Sequence, residues 1–309
     1  MQYFKNIVFL LVLFNSFQAF SESIYNITPI EVSKNVYVFF GDVNNLNNVN
    51  GGAISNTGFI IGKKSILVID AGPSYLYASR VIEIIKSYSS LPIKHLIVTH
   101  HHPDHSFGIS KFIEIGANVI MSQAEINMYF KYGNRLLRQV KKSIGDNWFI
   151  NTKIVKFGNN EEFPLNLDLG GRKVSIELYN QGHSEGDLVI EDLLSKIIFV
   201  GDLVFNERAP TIPHANITNW NKYISDIKNR KWDYIVPGHG ELIKIKEQLL
   251  LTKYWINYID KTAKQAVLNG TSPAEIFNEG IPASLRKYKL AKETWIRDLP
   301  LLINKYESE

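Results

Sequence analysis

The 309-residue sequence contains no cysteine. Disulfides, thiolate zinc sites and thiol nucleophiles are therefore excluded, and any metal must be held by His, Asp, Glu or backbone groups. Basic runs are also scarce. The 34 Lys and Arg nearly balance the 30 Asp and Glu, and the longest clusters are pairs such as Lys63-Lys64 and Lys141-Lys142. No stripe of positive charge favours nucleic acid as a partner. Long apolar runs are missing too. The run at 7–14 stops at Asn15, well short of the roughly 20 residues needed to cross a bilayer.

That short run has a different reading. Lys5 precedes it, and Ala19 and Ser21 follow at the spacing of a signal-peptidase site. This pattern predicts a signal peptide over 1–21 and a mature start at Glu22, hence export to a periplasm or the exterior. It leaves no membrane anchor after cleavage, and without cysteine there is no lipid attachment site.

What remains is a mixed chain, 45% apolar, which is enough for a large core. Short β runs are expected at 36–40, 58–61, 65–69, 95–99, 119–121, 174–179, 188–191, 196–200 and 234–236. Helices are expected from Pro73 to about Tyr88, over 106–115, from about 123 to 151, and near 219–229. From 247 onward the pattern is almost wholly helical, with segments near 248–268, 272–278 and 283–306. The Asn/Gly-rich stretch 44–52 is aperiodic and reads as a loop. Strands followed by helices in this order suggest two sheets with helices outside, although propensity alone does not separate this from a doubly wound sheet.

Four of the eight histidines fall within six residues, in Thr99-His100-His101-His102-Pro103-Asp104-His105. Imidazole and carboxylate are the natural ligands for zinc. At a strand end, period 2 sends His100 and His102 to one side and His101 to the other. Pro103 then turns the chain so that Asp104 and His105 face the same space. Three further candidates lie on turns after strands: His183 in Gly182-His183-Ser184, Asp202 in Val200-Gly201-Asp202, and His239 in Pro237-Gly238-His239-Gly240. Asp70, in Val68-Ile69-Asp70-Ala71-Gly72, has the same placement. His95 reads as an ordinary strand histidine.

The series H-x-H-x-D-H, a distant GH, a GD after a strand, and PGHG resembles the signature of the metallo-β-lactamase-fold hydrolases. The motifs occur in the family order over about 170 residues. The stretches NTGFIIG, VIDAGPS, THHHPDHSFG, FVGDLVFNERAP and VPGHG are most similar to a periplasmic branch, the quinoprotein-relay-system zinc metallohydrolases. The resemblance implies an α/β fold: an αββα sandwich of two mixed β-sheets flanked by helices, spanning 22–246, with a C-terminal helical extension over 247–309.

Carried over position by position, it implies that His100, His102 and His183 bind a first metal, that Asp104, His105 and His239 bind a second, and that Asp202 bridges them. Asp70 would support the loop by hydrogen bonds, and Asp187 would orient a ligand from behind. The turn-rich loop from Arg208 to His214, read from its own residues, is a surface loop or a substrate-facing wall on which Arg208 would hold an anionic group of a small-molecule substrate. The aromatic segment around Trp148 reads as core or as a lid.

The resemblance further implies two Zn²⁺ per chain, although iron and manganese suit the same donors. A metal-bridging hydroxide, oriented by Asp104 and held by the Asp202-fixed pair, would attack an ester, thioester, lactone or related bond without any Ser-His-Asp triad. β-Lactam hydrolysis is an alternative, weakened because zinc β-lactamases carry Cys or no protein bridge where this chain has Asp202. A second alternative is a periplasmic maturation or binding factor of a quinoprotein or sulfur-oxidation system. It would turn over little and use the C-terminal helices to meet a protein partner.

Overall fold

A computed structural model describes residues 24–158 and 161–308. The expected signal peptide and mature start at Glu22 lie outside the described residues.

Two mixed sheets stack face to face. The first runs β1 (Ile30–Ser33), β2 (Val36–Phe39), β3 (Thr57–Ile61), β4 (Ile66–Ile69), β5 (Ile93–Ile97), β6 (Asn118–Ile120) in that spatial order. It is antiparallel up to β4 and parallel from β4 through β6. The second has the order β11 (Tyr234–Val236), β10 (Ile197–Phe199), β9 (Gly186–Asp192), β8 (Lys173–Asn180), β7 (Leu165–Asp168). Only its β10–β11 pair is parallel.

Period-2 alternation explains the layers. In β2, Val36 and Val38 point between the sheets, while Tyr37 and Phe39 point outward. In β4, Leu67 and Ile69 point inward, Ile66 and Val68 outward. Both faces are covered, so these strands are wholly apolar. The first sheet is covered by α1 (Tyr75–Tyr88), α3 (Ile109–Glu114) and α4 (Gln123–Ile144). The second is covered by α5 (Ile217–Asn229), α6 (Leu249–Asn269) and α8 (Ala291–Glu307). Trp255 of α6 and Trp295 of α8 are buried in the same cluster as Ile198 of β10, so the C-terminal helices fill the second sheet's outer core. Among the described residues, no helix is long and apolar enough to cross a membrane.

Several expected boundaries shift for physical reasons. The helix expected from Pro73 begins at Tyr75, because Ser74 caps it through its side chain. The helix expected over 106–115 is shortened to α3, and a separate single turn, α2 (Pro103–Ser106), precedes it. Gly108 sits at the break, pressed so closely on Ala71 that a Cβ would lie 2.1 Å from its carbonyl oxygen. Gly145 ends α4, and a single 3₁₀ turn carries Asp146–Phe149. The segment expected as one helix over 283–306 is a 3₁₀ turn at Ala283–Leu285 followed by α8, which runs through Pro300. The short helix expected at 272–278 is α7 (Pro273–Glu279).

Candidate metal centre

The candidate ligands all sit where chain leaves a strand at one end of the sandwich. His100 to His105 follow β5 and enter α2. His183 lies in the turn between β8 and β9, Asp202 in the 3₁₀ turn Gly201–Leu203 after β10, and His239 in the turn after β11. Close backbone approach makes this convergence possible. Gly238 packs so tightly on Asp202 that a Cβ there would lie 1.9 Å from Oδ1.

Two groups of donor atoms result, each with its members within 4.8 Å of one another: His100, His102, His183 and Asp202, and Asp104, His105 and His239. In the first, His102 Nδ1 lies 3.0 Å from His100 Nε2 and 3.2 Å from His183 Nε2. In the second, Asp104 Oδ2 is 3.4 Å from His239 Nε2 and 3.6 Å from His105 Nε2. The Asp202 carboxylate stands between the groups. Its Oδ2 faces His183 (3.4 Å) and His100 (3.8 Å), and its Oδ1 faces His105 (3.2 Å) and His239 (3.3 Å).

The electrostatics differ on the two sides. Burial, reinforced by neighbouring imidazoles, pushes His100 and His102 well below the ordinary histidine range. His183 falls to about 4, chiefly through burial. These rings are neutral, so lone pairs meet where three ring nitrogens converge. On the other side, burial works to lower His105, but the Asp202, Asp104 and Asp70 charges outweigh it and hold the ring well above its ordinary value. Burial likewise works to raise Asp202, yet His239 and His105 hold it well below the carboxylate range.

A cation fits this arrangement. Buried His105 Nε2 and Asp202 Oδ1 have no hydrogen-bond partner despite their proximity, and unpaired buried polar atoms are costly. Imidazole nitrogens and carboxylates are also the donor set for divalent transition metals.

Behind the donors, Asp70 accepts from the Thr99 backbone N–H (2.7 Å) and hydroxyl (3.0 Å), and its Oδ2 takes the His105 Nδ1 proton at 2.8 Å. It thereby fixes both the loop and the tautomer that leaves His105 Nε2 toward the centre. Its backbone is left-handed, with φ of 60°, a conformation that Asp tolerates better than most residues. His239 Nδ1 donates to the Ile54 carbonyl at 2.7 Å, which frees its Nε2 in the same way.

Asp187 does not touch a histidine ring. It accepts from the Ser184 backbone N–H (3.1 Å) and hydroxyl (2.6 Å) and so steadies the turn that carries His183. Burial, then the Glu125 charge, pushes its carboxyl up to about 8. Residues 182–186 read GHSEG, a match to the Gly-x-Ser-x-Gly nucleophile pattern. Here they link two antiparallel strands, and the buried Ser184 hydroxyl is held by Asp187. The strand-to-helix elbow that exposes a nucleophilic serine is therefore not what these residues build.

His101 turns from both groups, but its direction is not set by strand alternation, since β5 ends at Ile97. Glu125 holds it, accepting from its backbone N–H at 2.8 Å and lying 2.5 Å from its Nδ1. His101 comes to rest beside His102 and His214, with which it forms a third donor group. His214 Nδ1 lies 3.1 Å from His102 Nε2, so it backs a candidate ligand. Arg208 is buried, with one guanidinium nitrogen 3.4 Å from both the Asn44 carbonyl and His239 Nδ1. The His239 proton already goes to Ile54, so that second approach is a contact and not a hydrogen bond. His95 lies within β5, outside all three groups. Trp148 packs on Tyr25 and under Gly51, pinning the Asn-rich loop.

Sequence reasoning missed Glu125, Asn56 and Ser55. Glu125 stands three residues after the Ser122 cap of α4, where it reads as a capping-box glutamate. Its carboxylate instead ties His101 to the Gly186 N–H. The Asn56 amide donates to the Pro237 and Gly240 carbonyls, both at 2.8 Å, and clamps the His239 turn. The Ser55 hydroxyl donates to the Asp104 carbonyl.

Comparison with known proteins agrees with this geometry. Residues 50–239 match the family profile described as the metallo-beta-lactamase superfamily. A metallo-beta-lactamase type 2 from Bacillus sp. (strain 170) is 22% identical over 218 residues, 69% of this chain and 76% of its own length. The acyl-coenzyme A thioesterase MBLAC2 of Gallus gallus is 24% identical over 224 residues, 67% of this chain and 79% of its own. Among solved structures, the metallo-beta-lactamase FIM-1 from Pseudomonas aeruginosa in its mono-zinc form superposes with a TM-score of 0.59 at 16% identity, covering 75% of this chain and 95% of that one.

Proposed function

This chain belongs to the metallo-beta-lactamase superfamily, and from that premise we propose that it is a dinuclear metallo-hydrolase cleaving an ester, thioester, lactone or related bond. The observation that carries this reading is Asp202, whose two oxygens face two separate donor groups. His100, His102 and His183 would hold one ion, Asp104, His105 and His239 the other, and Asp202 both. Zinc suits this set, and iron and manganese share its donor preferences. When bound, such ions supply a water of lowered pKa and an electrophile for the scissile group.

The chain's own residues do the rest. Asp104, the more accessible of the two carboxylates in these groups, would accept and hold the proton of the attacking water at the oxygen it does not give to the ion. Phe205, stacked on His239 at 5.0 Å, and Trp220, edge-on to His183 at 5.1 Å, pack apolar surface against the histidines and limit water there. Arg208 would face the negative charge of the substrate or of its tetrahedral form. Asp70 and Glu125 hold rings and loops in place. The signal-like N-terminus supports export.

Elemental analysis of purified protein should give two metals per chain. A panel of small esters, thioesters, lactones and β-lactams should show turnover that chelation abolishes. Protein without metal, or fully active with one, would overturn the dinuclear reading. N-terminal sequencing of the mature chain checks export, with a start near Glu22 expected and an intact Met1 contrary.

A further inference from the structure

Beside the centre lies a cavity of about 90 Å³ with one polar side chain in its lining. Leu46 comes from the Asn-rich loop, Ile54 from the segment between that loop and β3, Val140 and Ile144 from α4, and Phe149 from the 3₁₀ turn that follows. The polar member is Asp104, which also belongs to the second donor group. We propose that this cavity takes an unbranched apolar chain of about four carbons attached to the scissile group of the substrate.

The proposal rests on the hydrolase reading and adds the substrate class to it. An apolar wall offers no hydrogen bond to a sugar, a nucleotide or a peptide backbone, and burying such groups against it is unfavourable. A hydrocarbon chain meets no such penalty. The lone polar side chain sets the orientation, since a molecule filling the cavity with hydrocarbon must place its polar end at Asp104 and hence at the metals. Size sets the length. An apolar cavity of about 150 Å³ accepts six-carbon benzene, and by proportion 90 Å³ accepts roughly four carbons.

The walls are built, not incidental. The Asn-rich loop is held by its own side chains. Asn47 Oδ1 accepts from the backbone N–H groups of Val49 and Asn50, and Asn50 Oδ1 accepts from those of Asn47 and Gly52. Ile144 and Phe149 are buried in the core cluster beneath the first sheet's helices, so the cavity floor is fixed as well.

Two series of esters test the assignment on the metal-loaded protein: nitrophenyl esters with acyl chains of two to eight carbons, and acetates of straight-chain alcohols over the same range. One series should show kcat/KM rising about fourfold per methylene, the worth of burying one CH₂, up to about four carbons and then levelling or falling. The series that responds identifies which side of the bond the cavity holds. Val140→Phe should collapse the roughly 16-fold preference for four carbons over two toward one. Ile144→Ala should move the optimum to longer chains. Both variants are read as ratios within one preparation, so partial loss of folded protein does not disturb them. Turnover with a flat profile in both series, or a profile unmoved by both variants, would overturn the cavity assignment alone. No turnover on any ester or thioester by metal-loaded protein would overturn the hydrolase reading and this inference with it.

Discussion

Two buried carboxylates flank the histidine turn, and their surroundings are opposite in kind. Glu125 is satisfied by protein: one oxygen takes the His101 backbone N–H and neighbours its ring, and the other takes the Gly186 N–H. Burial works to raise its carboxyl, yet the His101 hydrogen bond and charge bring it below the ordinary value. Asp202 lies within 4 Å of four imidazoles and still has an unpartnered oxygen. The Glu125 region is a closed hydrogen-bond network that needs no further ligand. The Asp202 region is a negative charge whose donors are aimed but not paired, which is the state a cation completes. Counting histidines would not separate them; counting satisfied lone pairs does.

This contrast would break most visibly at Asp202. Asp202→Asn should cut kcat/KM by well over about 100-fold, beyond the 10–100-fold usual for residues behind a metal ligand, and should lower metal content in the same preparation. An active, fully loaded variant would make Asp202 no different in kind from Glu125.

The next largest effect falls on Asp70, which belongs to the Asp202 side without being a donor itself. Asp70→Asn should weaken metal binding by about 10–100-fold, measured by competition with a chelating dye. Unchanged affinity would mean that His105 needs no orienting partner.

On the Glu125 side, His101→Ala should leave metal content and turnover within about twofold of the parent. Folding should weaken by about 1–3 kcal/mol, because a buried carboxylate loses its partner. Denaturant unfolding and elemental analysis read the two halves of this expectation. Loss of metal would assign His101 to the centre.

The remaining effect is a pH dependence at Asp187, which sits between the two regions. Its folded carboxyl is raised to about 8, against 3.8 for an ordinary aspartate. The folded state therefore holds a proton that the unfolded state releases between about pH 4 and 8. The stability from this group is complete below pH 4 and is lost as pH climbs to about 8. Asp187→Asn removes the titration, so its melting temperature should fall less than the parent's between pH 5 and 8. Parallel curves would show Asp187 already ionised at neutral pH.

The legible parts of this site are those whose spacing is local. Four donors of the centre lie in one six-residue stretch, and the other three follow strands with glycine beside them, so motif and pattern agree. The sandwich was legible for a related reason: β2 and β4 are apolar on both faces, as strands covered on both sides must be. β1 and β7 were not. Ile30 is exposed, and Leu165 to Asp168 alternates over only four residues, so neither stands out from loop. Glu125 and Asn56 were invisible because their partners are distant in sequence, Gly186 for one and Pro237 and Gly240 for the other. Local pattern describes Glu125 as a helix cap and says nothing of where its carboxylate goes. The break at Gly108 depends on contact with Ala71, again a fact of packing.

One connection at the wall of the centre has a broader consequence. The backbone around Arg208 pairs with Lys289: Ala209 N–H donates to the Lys289 carbonyl at 2.9 Å, and Lys289 N–H donates to the Glu207 carbonyl at 2.8 Å. The Ile212 N–H is held in turn by Asp298 of α8. A guanidinium beside the candidate ligands thus takes its position from chain that carries none of them. Replacing Asp298 is therefore expected to shift the segment that carries Arg208 without changing any candidate ligand. Under the role proposed for Arg208, α8 becomes a place where substrate preference changes apart from the donor set.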